Sequence, residues 1–350
     1  MFEFFDIYLP IAGVSVNGLF LILIGCGVGI LSGIFGIGGG FIITPLLFFL
    51  GVPPNIAVAT SANQVLATAV AGSLLQRKQG QIDFRIGNYM LVGGVVSVMM
   101  GSLIFVSLKS IGQIDLFLRI CYISFLLLVG LMIWRESLNA IRHRKGSDFW
   151  KNYIQIPLIT SRLSLRIPNV KLSPLAFNFG NKIIGKRLTK LALVFNHYFN
   201  RLPSVEYFSV SGIKISIWLP IILGSMIGFF SSILGVGGGI IAIPFMSYIL
   251  KMPSKMVVGT SLYQIIFIAA LTSLMHSMLG RSLDIVLSVF LTIGGVMGAM
   301  TGNQFNKKLS PDVLRFLFSC LVLLLAIILL FGLFITPKSL FLLSTDLVSK

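Results

Sequence analysis

Two stretches decide the fold: GILSGIFGIGGGFIITP, residues 29–45, and GFFSSILGVGGGIIAIP, residues 228–244. The stretches align without a gap, so that GIGGG in the first matches GVGGG in the second. Further along, VATSANQ at residues 58–64 matches VGTSLYQ at residues 258–264. Similarity that recurs in the same order along a chain is typical of internal repeats. The sequence therefore predicts two homologous halves.

Each stretch lies inside an apolar run that is too long for one membrane crossing. As a straight helix, the run from Asn17 to Leu50 would be about 50 Å long, against about 30 Å of hydrocarbon. Closely spaced glycines followed by Pro45 interrupt a helix. We therefore expect two helical pieces per run, joined at the glycines. Irregular backbone at this depth must be buried in protein or line a wet cavity.

The composition is that of a membrane protein. The chain has 350 residues, of which 56% are hydrophobic and 11% are charged. A soluble domain is usually about 25% charged. These values exclude an ordinary cytosolic enzyme, a disordered chain and a secreted disulfide scaffold. Cys26, Cys121 and Cys320 all lie in apolar runs without a CxxC motif or a Cys/His cluster, so we expect no metal site.

The predicted fold class is an all-α polytopic membrane protein made of two homologous halves, with glycine-broken helices and about eight to ten transmembrane segments. We expect the halves to be inverted repeats; eight crossings with parallel halves are the alternative. The predicted domains are a first transmembrane repeat at 1–134, a basic cytoplasmic linker at 135–212, a second transmembrane repeat at 213–337 and a C-terminal tail at 338–350.

Loop charge supports the inverted arrangement. The loop at residues 76–85 carries three basic residues, whereas its counterpart in the second half carries Arg281. Lys251 and Lys255, in turn, match a loop at residues 52–55 that has no Lys or Arg. Cytoplasmic loops collect Lys and Arg, so oppositely oriented halves produce this complementary pattern. The N-terminus is then outside and the linker inside.

The linker holds most of the excess positive charge of the chain, whose net charge is +17. Within it, residues 181–200 have the spacing of a basic amphipathic helix, which would lie on the anionic inner leaflet of the bilayer. The alternative is a docking site for a soluble partner. The strong positive charge is explained by the membrane, and we expect no nucleic-acid binding.

Ionisable residues do not suggest catalysis or a cofactor. No acidic residue lies in the middle of an apolar run, so no carboxylate relay is predicted. Asp83 and Asp284 precede helices at matched positions, where the expected role is helix N-capping. The sequence has no GxSxG or HExxH motif. We therefore predict no enzyme activity, no catalytic residues and no cofactor.

Neutral polar groups at membrane depth predict a site for a small oxyanion. Helix N-termini at the glycine breaks carry about half a positive charge and present N–H donors to anions. Hydroxyl and amide side chains follow at matched positions. Broken helices at a repeat interface form the substrate sites of secondary transporters. The predicted substrate-binding residues are Gly36, Gly38, Gly39, Gly40, Thr60, Ser61, Asn63 and Gln64 in the first half, and Gly235, Gly237, Gly238, Gly239, Thr260, Ser261, Tyr263 and Gln264 in the second.

The pattern GxxxGxxGxGGGxxxxP, followed by ATS and repeated in degenerate form in the second half, resembles the sulfite exporter TauE/SafE family, also called the toluenesulfonate uptake permease family. The resemblance covers both halves but not the linker, which departs from the brief central loop of the family. It implies a multi-pass permease of the inner membrane that carries sulfur-containing anions such as sulfite, sulfonates or sulfoacetate.

From the repeats and the resemblance we expect a secondary transporter that works by alternating access. A passive anion channel and a membrane scaffold that recruits a partner through the linker are the alternatives. The expected partners are a small anionic substrate, the lipid bilayer and, for coupling, protons or sodium ions.

Overall fold

The computed structural model describes residues 6–112, 114–143, 204–280, 282–306 and 311–334. The predicted amphipathic helix at 181–200 and the predicted tail at 338–350 lie outside these residues. Within the described ranges, the chain forms helices and two short β-hairpins. The prediction of an all-α polytopic membrane protein is confirmed, because six helices are long and apolar enough to cross a membrane.

The two halves have the same order of elements. The first half contains β1 (Asp6–Leu9), β2 (Val14–Asn17), α1 (Gly18–Phe35), α2 (Gly40–Phe49), α3 (Pro54–Lys78), α4 (Phe84–Ser110) and α5 (Ile114–His143). The second half contains β3 (Val205–Phe208), β4 (Ile213–Ser216), α6 (Trp218–Leu234), α7 (Gly239–Tyr248), α8 (Ser254–Met275), α9 (Ile285–Asn306) and α10 (Pro311–Phe334). A π-helical turn, His276–Gly280, extends α8.

The long apolar runs are broken at the glycines, as predicted. Helix α1 ends at Gly36, whose φ is 70°, and α2 begins after Gly39, whose φ is 72°. In the second half, Gly235 and Gly238 have φ values of 66° and 77°. Side chains with a Cβ rarely adopt these left-handed conformations. At ten residues each, α2 and α7 are about 15 Å long, which is half the hydrocarbon thickness.

The first helix of each half packs along the fourth helix of the other half. Helix α1 lies along α9, with Gly18 against Phe290 and Ile30 against Gly302. The residue numbers rise together, so the two helices run in the same direction. Helix α6 lies along α4 in the same way. The halves are therefore interlocked rather than set side by side.

Glycines make both of these helix pairs close. A Cβ added at Gly29 in α1 would overlap the carbonyl oxygen of Gly295 in α9. A Cβ added at Gly228 in α6 would overlap the carbonyl oxygen of Gly94 in α4. Small residues at helix interfaces allow backbones to approach in the membrane, where packing rather than the hydrophobic effect drives association.

Helices α3 and α8 cross at the centre of the molecule. Val65 and Ile265 contact the same two glycines, Gly38 and Gly237. Farther along, Gly72 of α3 lies against Leu262 of α8. The numbers rise in one helix as they fall in the other, so these two corresponding helices are antiparallel.

The two β-hairpins were not predicted from the sequence. Each is a pair of antiparallel four-residue strands that leads into the first helix of its half. Gly13 and Gly212 are the last residues of the turns, with φ values of 65° and 66°. At the end of β2, the Asn17 side chain accepts hydrogen bonds from the N–H groups of Leu19 and Phe20 and so caps α1.

Candidate functional site

The two glycine breaks meet at the centre of the protein. We call residues 36–39 the first glycine loop and residues 235–238 the second glycine loop. A Cβ added at Gly40 would lie 2.7 Å from the carbonyl oxygen of Gly235, and one added at Gly239 would overlap the carbonyl oxygen of Ile37. Both loops are buried against other protein atoms, as irregular backbone at membrane depth requires.

Successive backbone donors in these loops have no partner. Gly36 donates to the Ser32 carbonyl at 2.7 Å, and Gly235 donates to the Ser231 carbonyl at 2.8 Å. Within the described residues, the N–H groups of residues 37–41 and 236–240 donate no hydrogen bond. Buried N–H groups without a partner are rare, and successive ones in a turn form anion-binding concavities. The loops therefore offer two sets of donors.

Ser61 connects the first-half helices to the second glycine loop. Its hydroxyl accepts a hydrogen bond from Thr44 Oγ1 at 2.7 Å and lies 3.3 Å from the carbonyl oxygen of Gly235. Ser61 and its counterpart Ser261 both lie within hydrogen-bond distance of a carbonyl of their own helix, Val58 at 2.9 Å and Val258 at 3.0 Å, but only Ser61 has the two further contacts. The two matched serines thus lie in different environments, although the sequence predicts the same role for both.

Gln64 and Gln264 carry buried amides without partners. Both side chains have 0% exposure, and neither the nitrogen nor the oxygen of either amide forms a hydrogen bond. Leaving a buried polar group unpaired costs about 1–3 kcal/mol. A bound polar ligand or water would remove this cost, so the two amides point to a binding site.

Thr68 connects the surroundings of the Gln64 amide to the first glycine loop. The amide of Gln64 and the methyl group of Thr68 both contact the position of Gly295 in α9. Thr68 in turn donates to the Gly38 carbonyl at 3.1 Å. Thr68 was not predicted because its counterpart, Ile268, is apolar, whereas the predicted side chains are polar in both halves. Its position four residues after Gln64, on the same helix face, was the available signal.

Four of the predicted site residues bind the other half instead of the loops. Thr60 accepts a hydrogen bond from the N–H of Asp284 at 3.4 Å, and Thr260 accepts one from the N–H of Asp83 at 3.0 Å. The remaining two residues also bind the other half. Asn63 of α3 donates to Ser288 at 2.5 Å, and Tyr263 of α8 donates to Asn88 at 2.8 Å.

The carboxylates are helix caps, as predicted. Asp83 accepts from the N–H groups of Arg85 and Ile86, and Asp284 accepts from the N–H of Leu287. Both aspartates are buried, whereas no Lys or Arg whose side-chain burial the structure describes is buried. The donors that the glycine loops themselves offer to an anion are neutral backbone dipoles.

Comparison with known proteins identifies the relatives of the chain. Residues 21–329 match the sequence model of the family described as Sulfite exporter TauE/SafE. Probable membrane transporter protein YjnA of Bacillus subtilis is 22% identical over 303 residues, which are 87% of this chain and 96% of that protein. A Probable membrane transporter protein of Xylella fastidiosa is 24% identical over 313 residues, covering 88% of this chain and 93% of that one.

A plant relative matches over a short segment at higher identity. Sulfite exporter TauE/SafE family protein 6 of Arabidopsis thaliana is 54% identical over 41 residues, which are 12% of this chain and 10% of that protein. No solved structure matches the chain.

Proposed function

The chain belongs to the sulfite exporter TauE/SafE family, and on this basis we propose that it is a secondary transporter of small sulfur-containing anions. The proposed substrates are of the sulfite, sulfonate or sulfoacetate type, and the proposed location is the bacterial inner membrane. Its relatives are named membrane transporters, which supports transport rather than catalysis as the activity of this multi-pass membrane protein.

The buried unpaired amides of Gln64 and Gln264 are the observation that carries the proposal. Each glutamine precedes the residue, Val65 or Ile265, that contacts both glycine loops, and we propose that the amides and the unbonded N–H groups of the loops act together as hydrogen-bond donors. A sulfonate or sulfite group offers several acceptor oxygens, so its chemistry complements these donors. The partial positive charge of a helix N-terminus adds to the attraction at α2 and α7.

Alternating access by two inverted repeats is the mechanism that the packing favours. Corresponding helices α3 and α8 are antiparallel, and each first helix runs with the fourth helix of the other half. If the halves have opposite orientations in the membrane, rocking one against the other exposes the central loops to either side in turn. The distance between Ser61 of α3 and Gly235 of the second glycine loop would change in this motion.

A binding screen followed by transport tests the proposal. The purified full chain is melted in the presence of sulfite, sulfate, thiosulfate, taurine and sulfoacetate, with carboxylates of matched size as controls. We expect at least one sulfur anion to raise the melting temperature while its carboxylate analogue does not. Uptake of that anion into proteoliposomes then measures transport. Stabilisation by carboxylates alone would contradict the proposed substrate class.

Two alternatives make different predictions in the same assay. A passive anion channel with the same lining would equilibrate the anion across the vesicle, whereas a coupled transporter accumulates it against a gradient set by protons or sodium ions. A scaffold that acts through the basic linker would lose its function when residues 142–201 are deleted. Transport by the deletion variant would exclude that role as the main one.

A further inference from the structure

The amides of Gln64 and Gln264 are accompanied by no buried Lys or Arg among the residues whose burial the structure describes. Both side chains are fully buried, and among the residues whose burial the structure describes, the buried Asp, Glu, His, Lys and Arg side chains are Asp83, Asp284 and His276. His276 is occupied, since its Nε2 lies 2.8 Å from the Ser232 carbonyl oxygen and its ring packs on Phe105. The donors available to a substrate are therefore neutral amides and backbone N–H groups.

A neutral donor set distinguishes anions by their charge. The cost of moving an ion out of water rises with the square of its charge, and without a counter-charge that cost is not recovered. Each added negative charge gains only dipole and hydrogen-bond energy from amides. A doubly charged anion of the same size thus loses more on entering the site than a singly charged one.

We infer that the site selects monoanions, and that Gln64 and Gln264 determine this specificity. This inference rests on the proposed function and narrows it. Simple sulfonates and hydrogensulfite would be substrates. The sulfite dianion, sulfate and other doubly charged anions would be excluded, and so would sulfoacetate, which carries a carboxylate beside its sulfonate group.

Competition between anions of one geometry tests the inference. Uptake of labelled sulfite into proteoliposomes is measured with methanesulfonate or sulfate as the competitor. Both competitors are tetrahedral at sulfur, but methanesulfonate carries one charge and sulfate two. We expect methanesulfonate to compete at least about tenfold better than sulfate, a difference that corresponds to about 1.4 kcal/mol. Equal competition by sulfate would overturn the inference.

The charge state of sulfite itself provides a second test of the inference. Sulfite loses its last proton near neutral pH, whereas methanesulfonate does not titrate there. Between about pH 6 and about pH 8, the apparent affinity for total sulfite should fall roughly tenfold while that for methanesulfonate stays constant, which also controls for titration of the protein. A sulfite affinity that rises with pH would contradict the inference. If none of these anions binds, the proposed function fails as well. If they bind without preference for monoanions, only the inference about charge fails.

A substitution that removes the amide tests the role of Gln64 directly. Gln64→Leu keeps approximately the volume of the side chain and removes its hydrogen-bond donors, so methanesulfonate affinity should fall more than about tenfold. Gln79→Leu, on an exposed residue after α3, makes the same change away from the site and should leave affinity unchanged. A folded Gln64→Leu protein with normal affinity would contradict the assignment.

A separate set of contacts joins each β-hairpin to the other half of the molecule. Asp284 Oδ2 accepts hydrogen bonds from the N–H groups of Ile11 and Ala12, in the turn of the first hairpin, at 3.1 and 3.2 Å. Asp83 Oδ2 accepts one from Ser211 Oγ, in the turn of the second hairpin, at 2.6 Å. Neither contact is needed for helix capping, which uses the other carboxylate oxygen.

These contacts continue from the hairpin turns to helices α3 and α8. The N–H groups of Asp284 and Asp83 donate to Thr60 and Thr260. Each threonine precedes a serine, and Ser61 contacts the second glycine loop. Each hairpin is thus connected through one buried aspartate to the helix, α3 or α8, that carries a glutamine of the proposed site.

We propose that the two aspartate–hairpin contacts are the gates of the transporter, one on each side, and that both are closed in this structure. Opening one gate breaks the bonds to one hairpin and leaves the opposite gate intact. If the halves are inverted, the Asp284 gate faces the side of the N-terminus and the Asp83 gate faces the opposite side.

Accessibility of a buried cysteine tests the gates without a substrate. Ser261→Cys is introduced into a chain whose native cysteines are replaced by alanine, because Ser261 has 0% exposure. Its modification by a membrane-impermeant thiol reagent is measured from each side. Asparagine is also a good N-cap, so Asp284→Asn and Asp83→Asn keep the helices and weaken the hairpin contacts.

The expected result is one-sided. Asp284→Asn should raise the modification rate from one side by roughly tenfold, and Asp83→Asn should do so from the other side, because each removes a charge-assisted bond from one gate. Ser211→Ala should reproduce the effect of Asp83→Asn without altering a cap. Increases from the same side in both variants, or unchanged rates from both sides, would overturn the proposal.

Discussion

Two glycines of α1 differ in their surroundings, and alanine substitutions at the two positions should have different effects on stability. Gly29 faces the backbone of Gly295, whereas an added Cβ at Gly27 meets no atom within 4 Å. In Gly29→Ala the new methyl group would force α1 and α9 apart, which we expect to cost about 1–3 kcal/mol. Gly27→Ala should be neutral or stabilising, because alanine favours a helix by about 1 kcal/mol over glycine. Thermal unfolding in detergent measures both, and equal melting temperatures would contradict the close packing.

The glycine loops should be intolerant of larger side chains. Gly39 and Gly238 have positive φ, and an added Cβ would crowd Val28 and Ser32 at the first and overlap Ile227 at the second. We expect Gly39→Leu and Gly238→Leu to abolish substrate binding, measured by thermal shift with sulfite or by scintillation proximity.

The cysteines provide a control for these substitutions. Cys26→Ala and Cys320→Ala should have mild effects, because both residues are free and partly exposed and lie outside the loops. Normal affinity in either folded leucine variant would count against the site.

At the scale of elements, a side chain from α5 forms a hydrogen bond with the C-terminal end of α6 in the other half. The hydroxyl of Tyr122 donates to the carbonyl oxygen of Leu234, at the last turn of α6. Tyr122 is fully buried, with its ring against Phe48. Carbonyls at a helix end have no partner within the helix, so this contact supplies one.

Tyr122→Phe should destabilise the protein by about 1–3 kcal/mol, because it leaves a buried carbonyl without a donor while keeping the ring. The melting temperature of the purified chain measures the loss. The control is Tyr8→Phe, since Tyr8 is 65% exposed. Equal stability of the two variants would show that the hydroxyl of Tyr122 contributes nothing.

Local sequence predicted some elements well and others not at all. The breaks at Gly36 and Gly235 were predictable because glycine clusters act on their own backbone. The hairpins were missed, since four-residue strands give too short an alternation to stand out beside long apolar runs. Asp83 and Asp284 were correctly assigned as caps, yet their second oxygens bind hairpins of the other half, which no local pattern encodes.

Packing between the halves also decides which predicted residues reach the site. The sequence predicts equal roles for the neighbouring residues Thr60 and Ser61, which match Thr260 and Ser261 in the second half. In the structure Thr60 binds the N-terminus of α9 and Ser61 contacts the second glycine loop. Neighbouring residues on a helix point in directions about 100° apart, so only the packing decides which of them reaches the loops.

At the scale of the whole molecule, the orientation of the halves is open to direct measurement. Gly51 and Lys251 occupy matched loops, each with positive φ. With inverted repeats, Gly51→Cys in a cysteine-free chain should react with an impermeant maleimide added outside the cell, whereas Lys251→Cys should react only after the membrane is made permeable. Reaction of both on the same side would show that the halves are parallel.

Neither half should be stable alone, because each first helix packs on the other half. Residues 1–143 and 204–350 expressed separately should be degraded, whereas coexpression should restore a complex that copurifies. Abundance of each fragment on a blot is the measurement. A stable isolated first half would contradict the interlocked packing of α1 with α9.

The pairing of α1 with α9 also constrains biosynthesis. Helix α1 leaves the ribosome first, but its partner follows only after residues 36–284 have been made. At about 5–20 residues per second, the delay is on the order of tens of seconds. During that time, the Gly25 and Gly29 face of α1 has only lipid or the insertion machinery to contact. A chain arrested in translation before α9 should therefore remain bound to that machinery and be open to quality-control proteases.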